Sequence, residues 1–140
     1  MVSSRMSPTF ISAAELMCAM CDSSGGILIY NYPTLDARRF SAQALVSRIV
    51  AENEQFFAPG QYELASDGTA QTQGCEAFLR ADQDGNMLMA FVNLSRRKTA
   101  FSGDFKKQGR IFNCRTGEET TRISGILAPG DIAVYKLQAN

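Results

Sequence analysis

The stretch Ala58-Pro59-Gly60 divides the 140-residue sequence into two parts whose apolar residues recur with different periods. Before it, the residues predict a helix, a short strand and a second helix. After it, apolar and polar residues alternate, and turn-forming residues recur almost to the last position. Steps of three and four residues are typical of helices, whereas a period of two is typical of half-buried strands. The sequence therefore predicts an α+β fold, with a helix–strand–helix segment over residues 1–59 and an antiparallel β-sandwich over residues 60–140.

The N-terminal segment carries helix signals on both sides of one apolar run. Ser12 to Glu15 form a capping box, which predicts a short helix that ends at Ser23 to Gly26. Ile27 to Tyr32 is a continuous β-forming run without alternation, typical of a strand covered on both faces, as in a parallel sheet flanked by helices. A second helix is predicted from about Leu35 to about Asn53. Its predicted buried face consists of Ala42, Leu45, Val46, Ile49 and Val50.

The C-terminal part carries one strong hairpin signal. Tyr62 to Leu64 predicts a short strand, and Ser66 to Gly74 predicts a polar loop. Cys75 to Ala81 and Met87 to Leu94 predict two strands joined by the tight turn Asp82 to Gly85, because glycine accepts a positive φ at no steric cost.

Two further β regions follow the hairpin. A second hairpin is predicted from Arg110 to Cys114 and Glu119 to Ile123, with a turn between them. The sequence closes with Ile126 to Ala128, the turn Pro129-Gly130 and the strand Ile132 to Leu137. Short strands at this spacing are typical of a small antiparallel sandwich.

Composition and charge disfavour several classes of partner. The chain has 14 basic and 14 acidic residues, and its densest basic cluster, Arg96-Arg97-Lys98, is predicted to be a solvated turn. Nucleic acid and anionic membranes are therefore not expected as partners, because both require a sustained basic surface. The longest strongly apolar run, Met87 to Val92, is too short to span a bilayer. Pro8, Ser12 and Glu15 interrupt any apolar core of a secretory signal, so a cytoplasmic location is expected, with secretion left open.

The cysteines and acidic residues predict no reaction site. Cys18 and Cys21 could form a redox pair or half of a metal site, but both fall inside or near the end of a predicted helix, away from its N-terminus. Cys75 and Cys114 lack the paired spacing of a zinc site, and the chain has no histidine. Asp82, Asp84 and Asn86 lack the terminal glutamate of an EF-hand. We therefore expect reduced structural thiols, no catalytic residue, no metal site and no cofactor.

Several stretches together resemble the C-terminal end of a glycoside hydrolase. Asp22 to Tyr32 (DSSGGILIYNY) and Ile49 to Asn53 (IVAEN) resemble the last strand and helix of a (β/α)8 barrel in these enzymes. Three later stretches resemble the sandwich that follows such barrels: Glu76 to Asp82 (EAFLRAD), Gly85 to Ser95 (GNMLMAFVNLS) and Gly125 to Leu137 (GILAPGDIAVYKL). The resemblance covers most of the chain from about Thr9 onward. Its motifs are packing patterns and not catalytic ones.

This resemblance implies a protein without its own active site. Such hydrolases place a pair of carboxylates at the ends of earlier barrel strands, and no position of this chain matches them. The chain would then be a C-terminal piece or a truncated relative that does not hydrolyse sugars alone. Tyr30, Asn31 and Tyr32, at the end of the last barrel strand, would line a sugar-binding cleft if a complete barrel were present; otherwise the tyrosines pack and Asn31 bonds locally.

Two functions from different classes remain open at the level of the sequence. The first is a non-catalytic C-terminal portion of a glycoside-hydrolase-like protein, whose sandwich braces a missing catalytic barrel. The alternative is a free-standing carbohydrate-binding or adhesion-type sandwich. Coplanar aromatic side chains exposed on one sheet face would favour the alternative, whereas buried aromatic side chains would favour the first. A small thiol enzyme would require Cys18 or Cys21 to be accessible and acidic.

Overall fold

The computed structural model describes residues 12–22 and 37–140, which form two helices and nine strands. The helices are α1 (Ala13–Asp22) and α2 (Ala37–Glu52), followed by a short 3-10 helix (Glu54–Phe56). The strands are β1 (Tyr62–Leu64), β2 (Gly68–Thr72), β3 (Glu76–Asp82), β4 (Met87–Val92), β5 (Thr99–Phe105), β6 (Gly109–Asn113), β7 (Glu119–Thr120), β8 (Ile123–Leu127) and β9 (Ile132–Ala139). The α+β class with an antiparallel sandwich is confirmed. The predicted strand Ile27 to Tyr32 and the turn before it lie outside the described residues.

The nine strands form two antiparallel sheets that face each other. The larger sheet has the order β1-β3-β4-β9-β6-β7, and the smaller has the order β2-β5-β8. Between them lies a core in which the rings of Phe91 and Phe101 are 4.7 Å apart, and those of Phe101 and Tyr135 are 6.3 Å apart. Alternate residues of β4 point into this core, as the period of two requires.

A second core lies on the opposite face of the six-stranded sheet, beneath the helices. Leu88, Ala90 and Val92 of β4 belong to it, so every residue of this strand is buried. Helix α1 packs on β4 and β9, and α2 packs against α1. The continuous apolar sequence of β4 thus results from burial on both faces, here in an antiparallel sheet. The face of α2 predicted to be buried also belongs to this core or packs against it.

The first hairpin matches its prediction. Strands β3 and β4 pair antiparallel, with Ala81 opposite Met87, and Gly85 has a φ of +82° in the turn. The Ser12 side chain accepts a hydrogen bond from the Glu15 backbone N–H at 3.1 Å, which confirms the predicted cap of α1.

The second hairpin also forms, but it is shorter than predicted. Strand β6 pairs with β7 over Ile111 and Phe112 only. Ile123, predicted to lie in the same hairpin, belongs instead to β8 of the smaller sheet, opposite Gly103.

The polar loop predicted for Ser66 to Gly74 is wrong. Residues Gly68–Thr72 form β2, an edge strand that pairs with β5 from Gly68 opposite Phe105 to Thr72 opposite Phe101. Its side chains are polar or small and mostly exposed, because an edge strand contributes backbone hydrogen bonds and little apolar surface. Without apolar alternation, the sequence gives no signal for a strand of this kind.

Candidate functional site

The side chains predicted to line a sugar-binding cleft, Tyr30, Asn31 and Tyr32, lie outside the described residues. Their role therefore stays a prediction.

The cysteines do not converge on one centre. Cys18 is half-buried and Cys21 is buried, and both lie in the C-terminal half of α1. Cys75 belongs to the core between the sheets, whereas Cys114 belongs to the core beneath the helices, so the six-stranded sheet separates them. Within the described ranges, no three His, Cys, Asp or Glu side chains group as a metal site would require. This placement supports structural packing of the thiols.

The thiol of Cys114 is held in its protonated form. Its pKa is raised to about 11, chiefly by burial and to a smaller extent by the carboxylate of Glu52, although the positive charges of Lys136 and Arg48 lower it. Desolvation has the largest effect because it disfavours the charged thiolate. At neutral pH this side chain is therefore a poor nucleophile.

The acidic turn between β3 and β4 uses its carboxylate internally. Asp82 Oδ1 accepts hydrogen bonds from the backbone N–H groups of Asp84 and Asn86, each at 2.9 Å. Asn86 Nδ2 donates to Asp82 Oδ2, and Asn86 Oδ1 accepts from the Ala139 N–H. These bonds close the hairpin and attach it to the last strand, as expected for a structural turn.

Asn93 organises the end of the sandwich at which α1 begins. This side chain is fully buried, and its Nδ2 donates to the carbonyls of Arg97 and Leu127. Its Oδ1 accepts from the backbone N–H and the hydroxyl of Ser95. The backbone of Asn93 pairs with the turn before β9, where the Gly130 carbonyl accepts from the N–H of Ala14. The Asn and Ser that end the apolar strand are thus turn-forming residues.

Arg80 joins the helical layer to the sheet, and sequence reasoning missed it. Although it is charged, its side chain is only 4% exposed. The guanidinium donates to the carbonyls of Phe56, at 2.8 Å, and Cys21, and it lies 4.1 Å from the centre of the Tyr62 ring. A cation at the C-terminal end of α1 also complements the helix dipole. The sequence did contain one signal for it. Arg80 lies two residues after Phe78 in β3, so a single charged residue shares a strand face with an aromatic one.

An apolar groove of about 440 Å³ lies between α1 and α2. Leu16 and Met20 of α1 form one wall, and Val46 and Val50 of α2 form the other. Polar side chains, including Glu54, lie at its margin. Such a groove provides apolar surface against which a further helix or strand could pack.

A smaller, polar pocket of about 200 Å³ lies where α2 ends against β6 and β9. Glu52, Asn53, Phe112, Lys136 and Gln138 contribute to its wall. Arg48 supports one side of it by donating to the carbonyls of Cys114, at 3.3 Å, and Arg115, at 2.8 Å. The pocket thus combines a preformed backbone with charged, amide and aromatic side chains.

The aromatic side chains of residues 54–140 are buried or half-buried. Phe91, Phe101 and Tyr135 fill the core between the sheets, and Phe56 and Phe57 are buried beneath the helices. Phe56 and Phe57 thus share the core beneath the helices with residues of β4. No described strand presents an exposed row of aromatic rings of the kind that would favour a carbohydrate-binding module.

No protein-family model matches this sequence, and no curated protein matches it. None of the helices in the described ranges has the length and apolar character needed to cross a membrane.

Solved structures do match the fold. A candidate α-galactosidase from Bacteroides fragilis matches with a TM-score of 0.63 and 10% sequence identity, over 91% of this chain and 28% of that chain. A GH42 exo-carrageenase from Bacteroides ovatus matches with a TM-score of 0.43 and 17% identity, over 83% of this chain and 15% of its own. A GH42 β-galactosidase from G. stearothermophilus matches with a TM-score of 0.39 and 12% identity, over 71% and 12%.

The chain thus spans less than a third of the length of each of these three structures. At 10% sequence identity, the similarity to the candidate α-galactosidase concerns the fold alone. It extends over most of the chain, and so it includes helical as well as sandwich residues. The chain therefore shares the fold of a part of this candidate α-galactosidase, in agreement with the resemblance to glycoside hydrolases seen in the sequence.

Proposed function

We propose that this chain is a non-catalytic C-terminal portion of a glycoside-hydrolase-like protein, in which the sandwich braces the end of a catalytic barrel. Residues 1–59 would belong to the barrel end and residues 60–140 to the supporting sandwich. The observation that carries the proposal is the apolar groove between α1 and α2. Helices that are already fixed to the sheet by Arg80 and by a shared core offer this groove as a rigid surface for the next layer of a barrel.

The buried aromatic side chains support this function over a free-standing carbohydrate-binding module. Stacking on sugar rings requires exposed ring faces, whereas most aromatic rings of residues 60–140 lie in or against the two cores, and Tyr62 and Phe112 are half-buried. The outer face of the smaller sheet carries small and polar residues together with Ile126, which is 71% exposed.

The proposal is tested first by the genomic sequence upstream of Met1 and, where this sequence encodes a barrel, by co-expression of the two. We expect the barrel to be soluble and active on nitrophenyl glycosides only when this chain is present, and the chain alone to be inactive. Val50→Asp, which places a charge in the groove, should abolish association. Leu94→Asp is the matched control, because Leu94 is an exposed residue of the β4–β5 turn, outside the groove.

Three results would overturn the proposal. The first is hydrolysis by the isolated chain, and the second is the absence of barrel-coding sequence upstream. The third is undiminished association by a folded Val50→Asp variant, with the fold verified by circular dichroism.

A further inference from the structure

The sequence contains two Asp-Gly pairs, Asp67-Gly68 and Asp84-Gly85. In such a pair the backbone nitrogen of the glycine can attack the carboxyl carbon of the aspartate, because glycine has no side chain to hinder the approach. The reaction needs an exposed carboxyl group and a peptide unit that is free to rotate. The structure places the two pairs in different surroundings, so it distinguishes them where the sequence does not.

Asp84-Gly85 lies in the tight turn between β3 and β4, and the Asp84 side chain is exposed. Within residues 12–22 and 37–140, neither the carboxylate nor the backbone carbonyl of Asp84 accepts a hydrogen bond. The Gly85 N–H donates to the Asp82 carbonyl at 3.3 Å, which is longer than an ordinary bond of this kind. The peptide unit between Asp84 and Gly85 is therefore held weakly, and an exposed turn opens at little cost in free energy.

Asp67-Gly68 is anchored to the smaller sheet, although the Asp67 side chain is exposed as well. The Asp67 carbonyl accepts from the Lys106 N–H at 2.9 Å, and Gly68 begins β2, opposite Phe105 of β5. A Cβ on Gly68 would lie 2.9 Å from the Leu79 side chain, so the backbone here also has close neighbours. Rotation of this peptide unit therefore requires the start of β2 to separate from β5.

We propose that Asp84 is a site of spontaneous isomerisation to isoaspartate and that the pairing of β2 with β5 protects Asp67 from the same reaction. A C–N bond forms between the Gly85 nitrogen and the side-chain carboxyl carbon of Asp84, and the carboxyl hydroxyl leaves with the amide proton as water. Water then opens the resulting five-membered succinimide at one of its two carbonyl groups. Attack at the side-chain carbonyl restores aspartate. Attack at the backbone carbonyl breaks its bond to nitrogen and gives isoaspartate, in which the main chain runs through the former side chain.

Isoaspartate lengthens the main chain of the turn by one carbon atom. The turn is closed by hydrogen bonds of 2.9 Å from the N–H groups of Asp84 and Asn86 to Asp82 Oδ1, and Asn86 Oδ1 accepts from the Ala139 N–H at 3.0 Å. The additional atom displaces Asn86 from these partners. Isomerisation therefore weakens the attachment of the β3–β4 hairpin to the last strand.

The test is to incubate the full chain for several weeks at neutral pH and physiological temperature and to measure isoaspartate at each pair by peptide mass spectrometry. Digestion with endoprotease Asp-N, which cleaves before aspartate but not before isoaspartate, identifies the modified position. We expect isoaspartate to accumulate about tenfold faster at Asp84 than at Asp67, because the reaction at Asp67 waits for β2 to open. In guanidinium chloride, which unfolds the chain, the two pairs should react at similar rates.

The variant Asp84→Glu keeps the charge, but its cyclisation would need a six-membered ring, which forms far more slowly. It should remove isoaspartate from the turn. The incubated parent chain should unfold at a lower urea concentration than the fresh parent chain, whereas incubation should not shift the midpoint of Asp84→Glu. Asp67→Glu is the matched control, and it should leave the rate at Asp84 unchanged.

Each contrary outcome overturns the proposal. Equal rates at the two pairs in native buffer would show that β2 does not protect Asp67, and absence of isoaspartate at Asp84 would exclude the site. A difference that persists in guanidinium chloride would assign it to the flanking residues and not to the fold. An equal loss of stability in the incubated Asp84→Glu chain would exclude the turn as its cause. These results are independent of whether the α1–α2 groove binds a barrel.

Discussion

At the scale of single residues, Arg80 connects the helices to the sheet through the hydrogen bonds that it donates to the carbonyls of Phe56 and Cys21. Arg80→Ala would remove the hydrogen bonds that the guanidinium donates to the carbonyls of Phe56 and Cys21 and would open a cavity beside Tyr62. We expect the free energy of unfolding to fall by about 3 kcal/mol, measured by urea denaturation. Lysine has no planar guanidinium and cannot donate to both carbonyls at once. Arg80→Lys should therefore lower the free energy of unfolding by an intermediate amount.

The matched control for Arg80 is Arg122→Ala. Arg122 is exposed, and its replacement should change the free energy of unfolding by less than about 0.5 kcal/mol. If Arg80→Ala cost no more than this control, Arg80 would be dispensable for attaching the helices.

Cys114 makes stability depend on pH in the alkaline range. Its folded-state pKa is about 11, above the ordinary thiol value of 9.0, so the folded chain keeps a proton that the unfolded chain has lost. The contribution of this protonated thiol to the free energy of unfolding is fully present below pH 9 and disappears as the pH rises through 11. Between pH 8 and pH 11, the free energy of unfolding of the parent chain should fall by about 2 kcal/mol more than that of Cys114→Ala, in which the thiol is absent. Urea denaturation at each pH measures this difference. An identical pH dependence for both chains would contradict burial as the cause.

At the scale of elements, the close approach of β5 to the larger sheet depends on Gly103. A Cβ at this position would lie within 3.2 Å of the Ile123 side chain and closer still to Met89 and Phe91. Gly103→Ala should therefore push the sheets apart and lower the free energy of unfolding by about 1–3 kcal/mol. Ala100→Val adds bulk to the exposed face of the same strand and should have little effect. If Gly103→Ala and Ala100→Val lowered the free energy of unfolding by similar amounts, the cause would be a change in strand propensity and not the packing of the two sheets.

The elements that the sequence predicted are those with strong local signals. The β3–β4 hairpin was predictable because Asp82 to Gly85 form a tight turn between two apolar runs. Strand β2 was not, because its stability comes from backbone pairing with β5, more than 25 residues away in the chain. The polar pocket was likewise unpredictable, since Asn53, Phe112 and Lys136 meet only through the order β9-β6 in the sheet and the end of α2.

At the scale of the whole molecule, the two cores share strands β4 and β9, which bury side chains on both faces of the larger sheet. This sharing implies that the helices and the sandwich unfold together, even though the period of the sequence changes at Ala58 to Gly60. Ile49→Ala truncates a fully buried side chain of α2 and should lower the free energy of unfolding by about 2–5 kcal/mol. Native-state hydrogen exchange should then accelerate equally in α2 and in β5, the central strand of the distant smaller sheet.

Ser47→Ala, at an exposed position of the same helix, should leave both exchange rates unchanged. Acceleration confined to α2 in the Ile49→Ala variant would contradict cooperative unfolding and would make residues 60–140 an independent domain. Acceleration in both regions would mean that the sandwich holds the helices in place before any barrel binds. In that case the groove between α1 and α2 is preformed, so its occupant gains affinity without a further ordering cost.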